Sequence, residues 1–310
     1  MKILFTGASS FTGFWFLREL AAAGHDVTAT FRRAAAGYPD LPRQQRVLLA
    51  GEVCRPVYGC SFGTPSFLAL ISEGNWNLLC HHAADVTDYK NPRFDAVAAV
   101  QNNTHNLFAV LEALKATGCH KLVLTGTVFE AGEGAGSEGL PDFSPYGFSK
   151  ALTARVFQYY CGSAGLSLGK FVIPNPFGPY EEPRFTAYLM KNWLAGVTPT
   201  CSSPSYVRDN IHVSLLAKAY ARFVRDLADA PGFTKINPSG YVESQGAFAL
   251  RMADEMRRRL DLPCLVELKK QTEFREPRVR INTDFLDGES FGWTEATAWN
   301  DLVSYYLQTK

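Results

Sequence analysis

TGASSFTG, residues 6–13, follows the apolar run Ile3, Leu4, Phe5 and opens onto a segment in which Phe14, Leu17 and Leu20 recur at helical spacing before Gly24. A short apolar strand, a glycine turn and an amphipathic helix form the first half of a strand-helix-strand unit, and DVTATF (26–31) supplies its second strand. The beat repeats downstream. NLLCHHAA (77–84) reads as a strand, VQNNTHNLFAVLEALKATG (100–118) as one helix with Leu107, Val110, Leu111 and Leu114 inward, and KLVLTGTV (121–128) as the next strand. SPYGFSKALTARVFQYYCGSAG (144–165) reads as a helix with Ser144 at its cap and Pro145 in its first turn, and LGKFVIPN (168–175) as a further strand. Strand alternating with helix predicts an α/β fold, a Rossmann-type doubly wound parallel sheet.

From Pro174 the texture changes. Pro174, Pro176, Pro179, Pro183, Pro199 and Pro204 interrupt any regular element, and the residues after about 235 mix short strands with helices. We therefore expect a dinucleotide-binding domain from 1–174 and 207–236, and a smaller mixed C-terminal substrate-binding lobe from 175–206 and 237–310. Arg257, Arg258 and Arg259 fall on the solvated face of an amphipathic helix in that lobe.

The 31 Lys and Arg residues nearly balance 30 Asp and Glu, for a formal charge of +1, so neither nucleic acid nor an anionic membrane is expected as a partner. The first strand begins too early to leave room for a secretory signal, and no apolar run approaches the roughly 18 residues that a bilayer crossing needs. Seven cysteines (54, 60, 80, 119, 161, 201 and 264) are scattered without a C-x-x-C pair. Reduced thiols in a cytoplasmic protein, with no metal framework, are the expectation.

Seven motifs occur in one order: TGASSFTG, CHHAA (80–84) where I-H-x-A-A is usual, TGTVF (125–129), YGFSK (146–150), IPNPFGP (173–179), VRDNIHV (207–213) and FGW (291–293). Together they resemble the extended short-chain dehydrogenases/reductases, the family of nucleotide-sugar epimerases, dehydratases and ketoreductases. The resemblance implies a nicotinamide dinucleotide held by Gly7, Ser9, Ser10, Phe11, Thr12 and Gly13 of the first turn and by His81, Ala83 and Ala84. Gly7 permits the tight turn and Gly13 close packing of helix on sheet, while the helix N-terminus offers amides to the pyrophosphate. Ser10 stands where the pattern has a central glycine and places a small hydroxyl where the pyrophosphate would approach. At the end of the second strand, where an acidic residue would hold the adenosine ribose, the chain has Phe31, Arg32 and Arg33. Guanidinium groups pair with phosphate, so NADP(H) is favoured, with NAD(H) as the alternative.

Tyr146 and Lys150 are four apart near a helix start and project from one face. A nearby ammonium favours phenolate, which lets Tyr146 exchange a proton with a hydroxyl or carbonyl oxygen while hydride moves to or from nicotinamide. By resemblance Thr125 hydrogen-bonds the reacting oxygen; Thr127, on the same strand face, competes for that role or contacts the substrate. Dehydratases of the family resemble T-D-E here, against Thr125, Gly126, Thr127, and the bifunctional epimerase-reductases have Cys and His where this chain has Thr127 and Tyr180. What remains is reduction of a nucleotide-linked 4-keto sugar, our first reading, or 4-epimerisation through a transient ketone, the alternative. Reduction of a non-sugar ketone and a catalytically silent dinucleotide sensor rank below these.

Asn175 and Arg208 match family positions near the substrate diphosphate, and Arg275 and Arg278 are candidates for a second phosphate arginine. A nucleoside-diphosphate sugar is the implied ligand. TCSSPSY (200–206) replaces a usual glycine-rich hairpin, and Val100, followed by Asn102 and Asn103, stands where the fourth helix usually has Asn. Glu130, Glu133 and Glu138 read as loop charges without an assigned role. A homodimer is expected, paired through the helix with Asn106, Phe108 and Val110 and the helix with Phe157, Tyr159 and Tyr160.

Overall fold

The computed structural model describes residues 1–38, 40–227 and 231–309. The chain divides into two compact units, one of residues 1–133, 141–173 and 217–236, the other of 134–140, 174–216 and 237–310. In the first unit seven strands form one sheet: β1 (Lys2–Thr6), β2 (Asp26–Phe31), β3 (Arg55–Tyr58), β4 (Leu78–His81), β5 (Lys121–Thr127), β6 (Ser167–Ile173) and β7 (Phe233–Ile236). Their order is β7-β6-β5-β4-β1-β2-β3, every pair parallel. The strands are apolar without alternation because helices cover both faces, as in Ile3, Leu4 and Phe5, all 0 % exposed. The order reverses direction between β1 and β4, which places the carboxyl ends of these strands at a topological switch point.

On one face of this sheet Leu4, Leu79, Leu122 and Leu124 pack with Phe67, Leu111 and Phe157. On the other, Phe16 stacks on Tyr220 at 4.1 Å between centroids, and both meet Phe171 edge-on. Each buried aromatic of this kind stabilises the fold by roughly 1.5–3 kcal/mol.

The segment read as one helix over 100–118 is two, Ala96–Asn103 and Leu107–Ala116. Asn106 interrupts them in the left-handed region (φ 50°), and its amide donates to the Gly63 carbonyl at 2.8 Å. Gly63 packs so closely on His105 that a Cβ there would meet the imidazole Cδ2 at 3.2 Å, so this tertiary contact overrides the helical periodicity. The proposed pairing helices also need correction. Val110 and Phe157 are 0 % exposed and belong to the internal core, which leaves Phe108 (68 %), Tyr159 (69 %) and Tyr160 (42 %) as the exposed aromatics.

In the second unit, strands Tyr241–Ser244, Val207–His212, Val279–Ile281 and Ala135–Gly136 are neighbours in that order, and Asn175–Phe177 adds to Val207–His212. Residues 207–216, assigned from sequence to the dinucleotide-binding domain, fall in this unit because Val207–His212 is hydrogen-bonded to three of its strands. Its core joins Phe177, Trp193, Phe248, Met252, Trp299 and Leu302. All seven cysteines are free. Among the described residues no helix is long and apolar enough to cross a membrane.

Candidate active site

The turn after β1 is shaped by its glycines. Gly7 lies at φ +87°, and a Cβ on it would meet Ala83 N at 2.6 Å, so only glycine fits between β1 and the end of β4. Ser10 is the N-cap of the helix Phe11–Ala22: its Oγ accepts from Gly13 N at 3.1 Å and donates to the Gly7 carbonyl at 2.9 Å. The hydroxyl expected to face a pyrophosphate is thus engaged in closing the turn. Phe11 is buried, Thr12 is half-buried, and the helix has no acidic residue in its first turn. A positive helix end at the sheet's switch point, free of first-turn carboxylates, fits the pyrophosphate of a dinucleotide.

Ser9 contributes through its carbonyl, which accepts from Arg46 Nε at 3.0 Å. Arg46 is 0 % exposed. Sequence reading missed it because LPRQQRVLL shows no pattern that separates a buried arginine from one on a solvated helix face. Phe31, at the end of β2, is buried and stacks on Tyr58 at 5.3 Å. Arg32 and Arg33 are exposed; Arg33 donates to the Gly37 carbonyl at 3.2 Å, and the charge of Arg32 is felt by Asp85.

His81, expected at the dinucleotide, is buried with both ring nitrogens engaged, by Thr6 Oγ1 at 2.9 Å and the Asn103 carbonyl at 3.3 Å. Burial pushes its pKa down to about 3, so it stays neutral and ties β1 to β4. Ala83 and Ala84 remain partly exposed just past β4, with Ala83 N donating to Thr6 Oγ1 at 3.1 Å. Of the asparagines near Val100, Asn103 is the buried one: Oδ1 accepts from Asp85 N at 2.7 Å and Nδ2 donates to Thr153 at 3.3 Å.

The residues expected to carry chemistry gather at the carboxyl end of β5. Thr125 and Thr127 are both buried. Lys150, on the helix Pro145–Ala164, donates from Nζ to the Thr125 carbonyl at 2.6 Å. Tyr146 lies one turn earlier on that helix, half-buried, its ring against Tyr89 at 5.2 Å and Phe94 at 6.5 Å. Ser144 caps the helix by accepting from Gly147 N at 3.0 Å, which fixes where Tyr146 and Lys150 begin. Burial lowers the Lys150 pKa to about 8, with Glu130 opposing the shift.

Glu130 and Glu133 are not solvated loop charges. They are 1 % and 4 % exposed and share Lys170 of β6: Glu130 Oε2 pairs with its Nζ, Glu133 Oε1 does so at 2.8 Å, and Glu133 Oε2 reaches Lys235 of β7 at 3.0 Å. Glu130 Oε1 also accepts from Thr127 N at 2.7 Å. Gly126 makes this possible. A Cβ at 126 would lie 2.6 Å from Lys170 Cε and 2.8 Å from Glu130 Oε1. The position that is Asp in the dehydratase pattern is therefore filled by an ion pair. Glu138, in the second unit, is exposed.

In the second unit Asn175 is partly exposed, and its buried Nδ2 has no hydrogen-bond acceptor. Arg208 is 6 % exposed and already engaged, with the Val207 and Pro277 carbonyls at 2.9 and 3.0 Å, Glu276 at 2.9 Å and its guanidinium over the Tyr206 ring. Arg275 is exposed near Glu273 at 3.8 Å, and Arg278 lies over Phe274 at 4.1 Å. The fully buried arginine of this segment is Arg280, which sequence reading did not single out.

The model of the NAD dependent epimerase/dehydratase family matches residues 3–237. No curated protein matches the chain by sequence. Among solved structures, UDP-glucuronic acid 4-epimerase from Bacillus cereus, in complex with UDP-glucuronic acid and NAD, is similar with a TM-score of 0.76 at 17 % identity over 100 % of both chains. UDP-glucose 4-epimerase from Thermotoga maritima, with UDP-glucose, gives a TM-score of 0.72 at 17 % identity over 100 % of this chain and 99 % of that one. UDP-glucose-4-epimerase from Stenotrophomonas maltophila, with NAD and formylated UDP-arabinopyranose, gives 0.76 at 18 % identity over 100 % and 98 %.

Proposed function

We propose that this chain, which belongs to the NAD dependent epimerase/dehydratase family, interconverts nucleoside-diphosphate sugars that differ in configuration at C4. The nicotinamide dinucleotide, when bound, supplies the reversible hydride acceptor. Tyr146 takes the proton of the C4 hydroxyl and returns it after the ketone has been reduced from its other face. Lys150 favours the phenolate through its charge, and its bond to the Thr125 carbonyl anchors the ammonium beside β5. Thr125 holds the oxygen that changes between alcohol and ketone.

The observation that carries this reading is the Thr125, Tyr146 and Lys150 set beside a glycine at 126, where a Cβ would crowd Lys170 and Glu130. Such a site has the groups for redox chemistry at one carbon and lacks the carboxylic acid at 126 that the dehydratase pattern uses to eliminate water. The 4-epimerases of similar fold, two of them bound to NAD with a UDP-sugar, support the same reaction, NAD as cofactor and a UDP-sugar as substrate class. NADP(H)-dependent reduction of a 4-keto sugar remains the second reading, favoured by Arg32 and Arg33 following β2 without an acidic residue.

The test is to identify the copurifying dinucleotide by mass spectrometry and to follow UDP-hexoses and UDP-hexuronic acids by NMR. Tightly bound NAD and appearance of the C4 epimer without net cofactor consumption are expected. NADPH oxidation that depends on a 4-keto sugar, with no epimer from any UDP-sugar, would replace this reading with the reductase.

A further inference from the structure

His82 occupies the variable position of the H-x-A-A pattern, and its ring sits between the glycine turn and the carboxyl end of β5. Nε2 lies 3.0 Å from both Ser10 Oγ and Thr12 Oγ1, and Nδ1 lies 2.9 Å from Thr125 Oγ1. Phe5 and Phe16 wall the ring at 6.1 and 5.3 Å between centroids. Gly13 leaves it room, since a Cβ there would meet His82 Cδ2 at 2.7 Å.

The hydrogen-bond directions follow from Ser10. Its single hydroxyl proton goes to the Gly7 carbonyl, so its oxygen meets Nε2 only as an acceptor. The tautomer with the proton on Nε2 fits this arrangement, with Thr12 Oγ1 as a second acceptor. Burial, and then the nearby charges of Lys150 and His81, hold the His82 pKa down at about 3, so the ring has no second proton and Nδ1 is an acceptor. Its partner at 2.9 Å is Thr125 Oγ1, which must donate.

We infer that His82 is a positioning residue for Thr125: by taking the threonine's proton on Nδ1 it leaves the Oγ1 lone pairs as acceptors for the hydroxyl of an alcohol substrate. The inference rests on the reading of Thr125 as the residue that holds the reacting oxygen. It deepens that reading by giving Thr125 an orientation in the resting site: its lone pairs meet an alcohol, and its proton turns from His82 to the sugar oxygen when that oxygen becomes a ketone.

Asn and Gln separate the two sides of the ring, because an Asn amide oxygen reproduces Nδ1 and a Gln amide nitrogen reproduces Nε2. His82→Gln should keep the Ser10 and Thr12 contacts, lose the Thr125 contact, and lower kcat for the UDP-sugar about tenfold or more with KM and NAD affinity within about twofold. His82→Asn should recover most of that loss. In the Thr125→Val background His82→Gln should add nothing, since the hydroxyl it orients is gone. Equal losses in the Asn and Gln variants, unchanged turnover in His82→Gln, or a full additional loss on top of Thr125→Val would each overturn the assignment. The ¹⁵N signals of His82 provide a readout that needs no substrate. They should show a protonated Nε2 and a bare Nδ1 from pH 6 to pH 8, with the Nδ1 signal moving in Thr125→Val. A protonated Nδ1 overturns the proposal whatever the enzyme turns over. A bare Nδ1 in a protein that epimerises no UDP-sugar upholds the proton placement and counts instead against the 4-epimerase reading.

Discussion

Lys150 Nζ and the Thr125 carbonyl oxygen are 2.6 Å apart, so the last turn of β5 and the first turns of the following helix are joined by one buried charged hydrogen bond. Lys150→Ala leaves that carbonyl unsatisfied and removes the charge beside Tyr146. A stability loss of about 1–3 kcal/mol and a loss of turnover are expected together, measured by denaturant melts and by epimer formation. Tyr146→Phe should abolish turnover with little change in stability or cofactor affinity; activity above a few per cent of wild type would remove Tyr146 from its role.

Position 126 should tolerate no side chain while its neighbours stand. Gly126→Ala forces Lys170 or Glu130 aside and should destabilise by about 1–3 kcal/mol. Combining it with Lys170→Met should be less damaging than the sum of the two single losses, because a neutral side chain can swing away from Glu130. Strict additivity in thermal or urea melts would show that the ion pair is not what fills the space.

Cofactor preference should respond to Arg32 and Arg33 and not to Ser10. Replacing both arginines with Ala should weaken NADPH about tenfold, at about 1.5–3 kcal/mol per charged hydrogen bond, and leave NADH nearly unchanged. Ser10→Gly should weaken both alike and lower the melting temperature slightly, since Ser10 caps the helix and Gly replaces a cap at a few tenths of a kcal/mol. Dissociation constants for both cofactors in the three proteins decide the matter.

Stability should fall on both sides of neutrality for different reasons. His81, His82 and His212 are all held down to about 3, chiefly by burial, so the unfolded chain binds protons the native one refuses, and stability is lost as pH falls from 6.5 toward 3. Glu181 shows the reverse. Burial raises it to about 8 despite hydrogen bonds from Thr186 and Tyr306, so its contribution is full below about 4.5 and is lost as pH rises through 8. Glu181→Gln keeps an acceptor for both hydroxyls and cannot ionise. Its melting temperature relative to wild type should climb between pH 5 and pH 8; a flat difference would mean that Glu181 is already ionised in the fold.

A homodimer through Phe108, Tyr159 and Tyr160 is expected, now without Val110 and Phe157, which the core consumes. Phe108→Glu with Tyr159→Glu should shift sedimentation toward the monomer without unfolding the chain. A wild type that is monomeric at every concentration would end the idea.

The parallel sheet was legible because buried strands, glycine turns and amphipathic helices repeat at short range, and Ser144, Tyr146 and Lys150 were legible because capping and helical spacing are local. What escaped depends on distant packing. Arg46 and Arg280 look like surface arginines until the segments around them close, and Glu130 and Glu133 look like loop charges until Lys170 and Lys235 arrive from strands about 40 and 100 residues later. The break at Asn106 was hidden for the same reason, since the residue that causes it is Gly63.

The packing at Gly126 also limits which activities this lineage can reach by mutation. An acid at 126 is one substitution away in sequence, yet it meets Lys170 and Glu130 before it meets any substrate. Removing Lys170 first leaves Glu130 as a buried charge without its counterion and Glu133 with Lys235 alone, and removing Glu130 first leaves Lys170 with Glu133 alone. Every order of single changes therefore passes through a weakened protein, and the ion pair acts as a one-way gate that holds the enzyme to chemistry without water elimination.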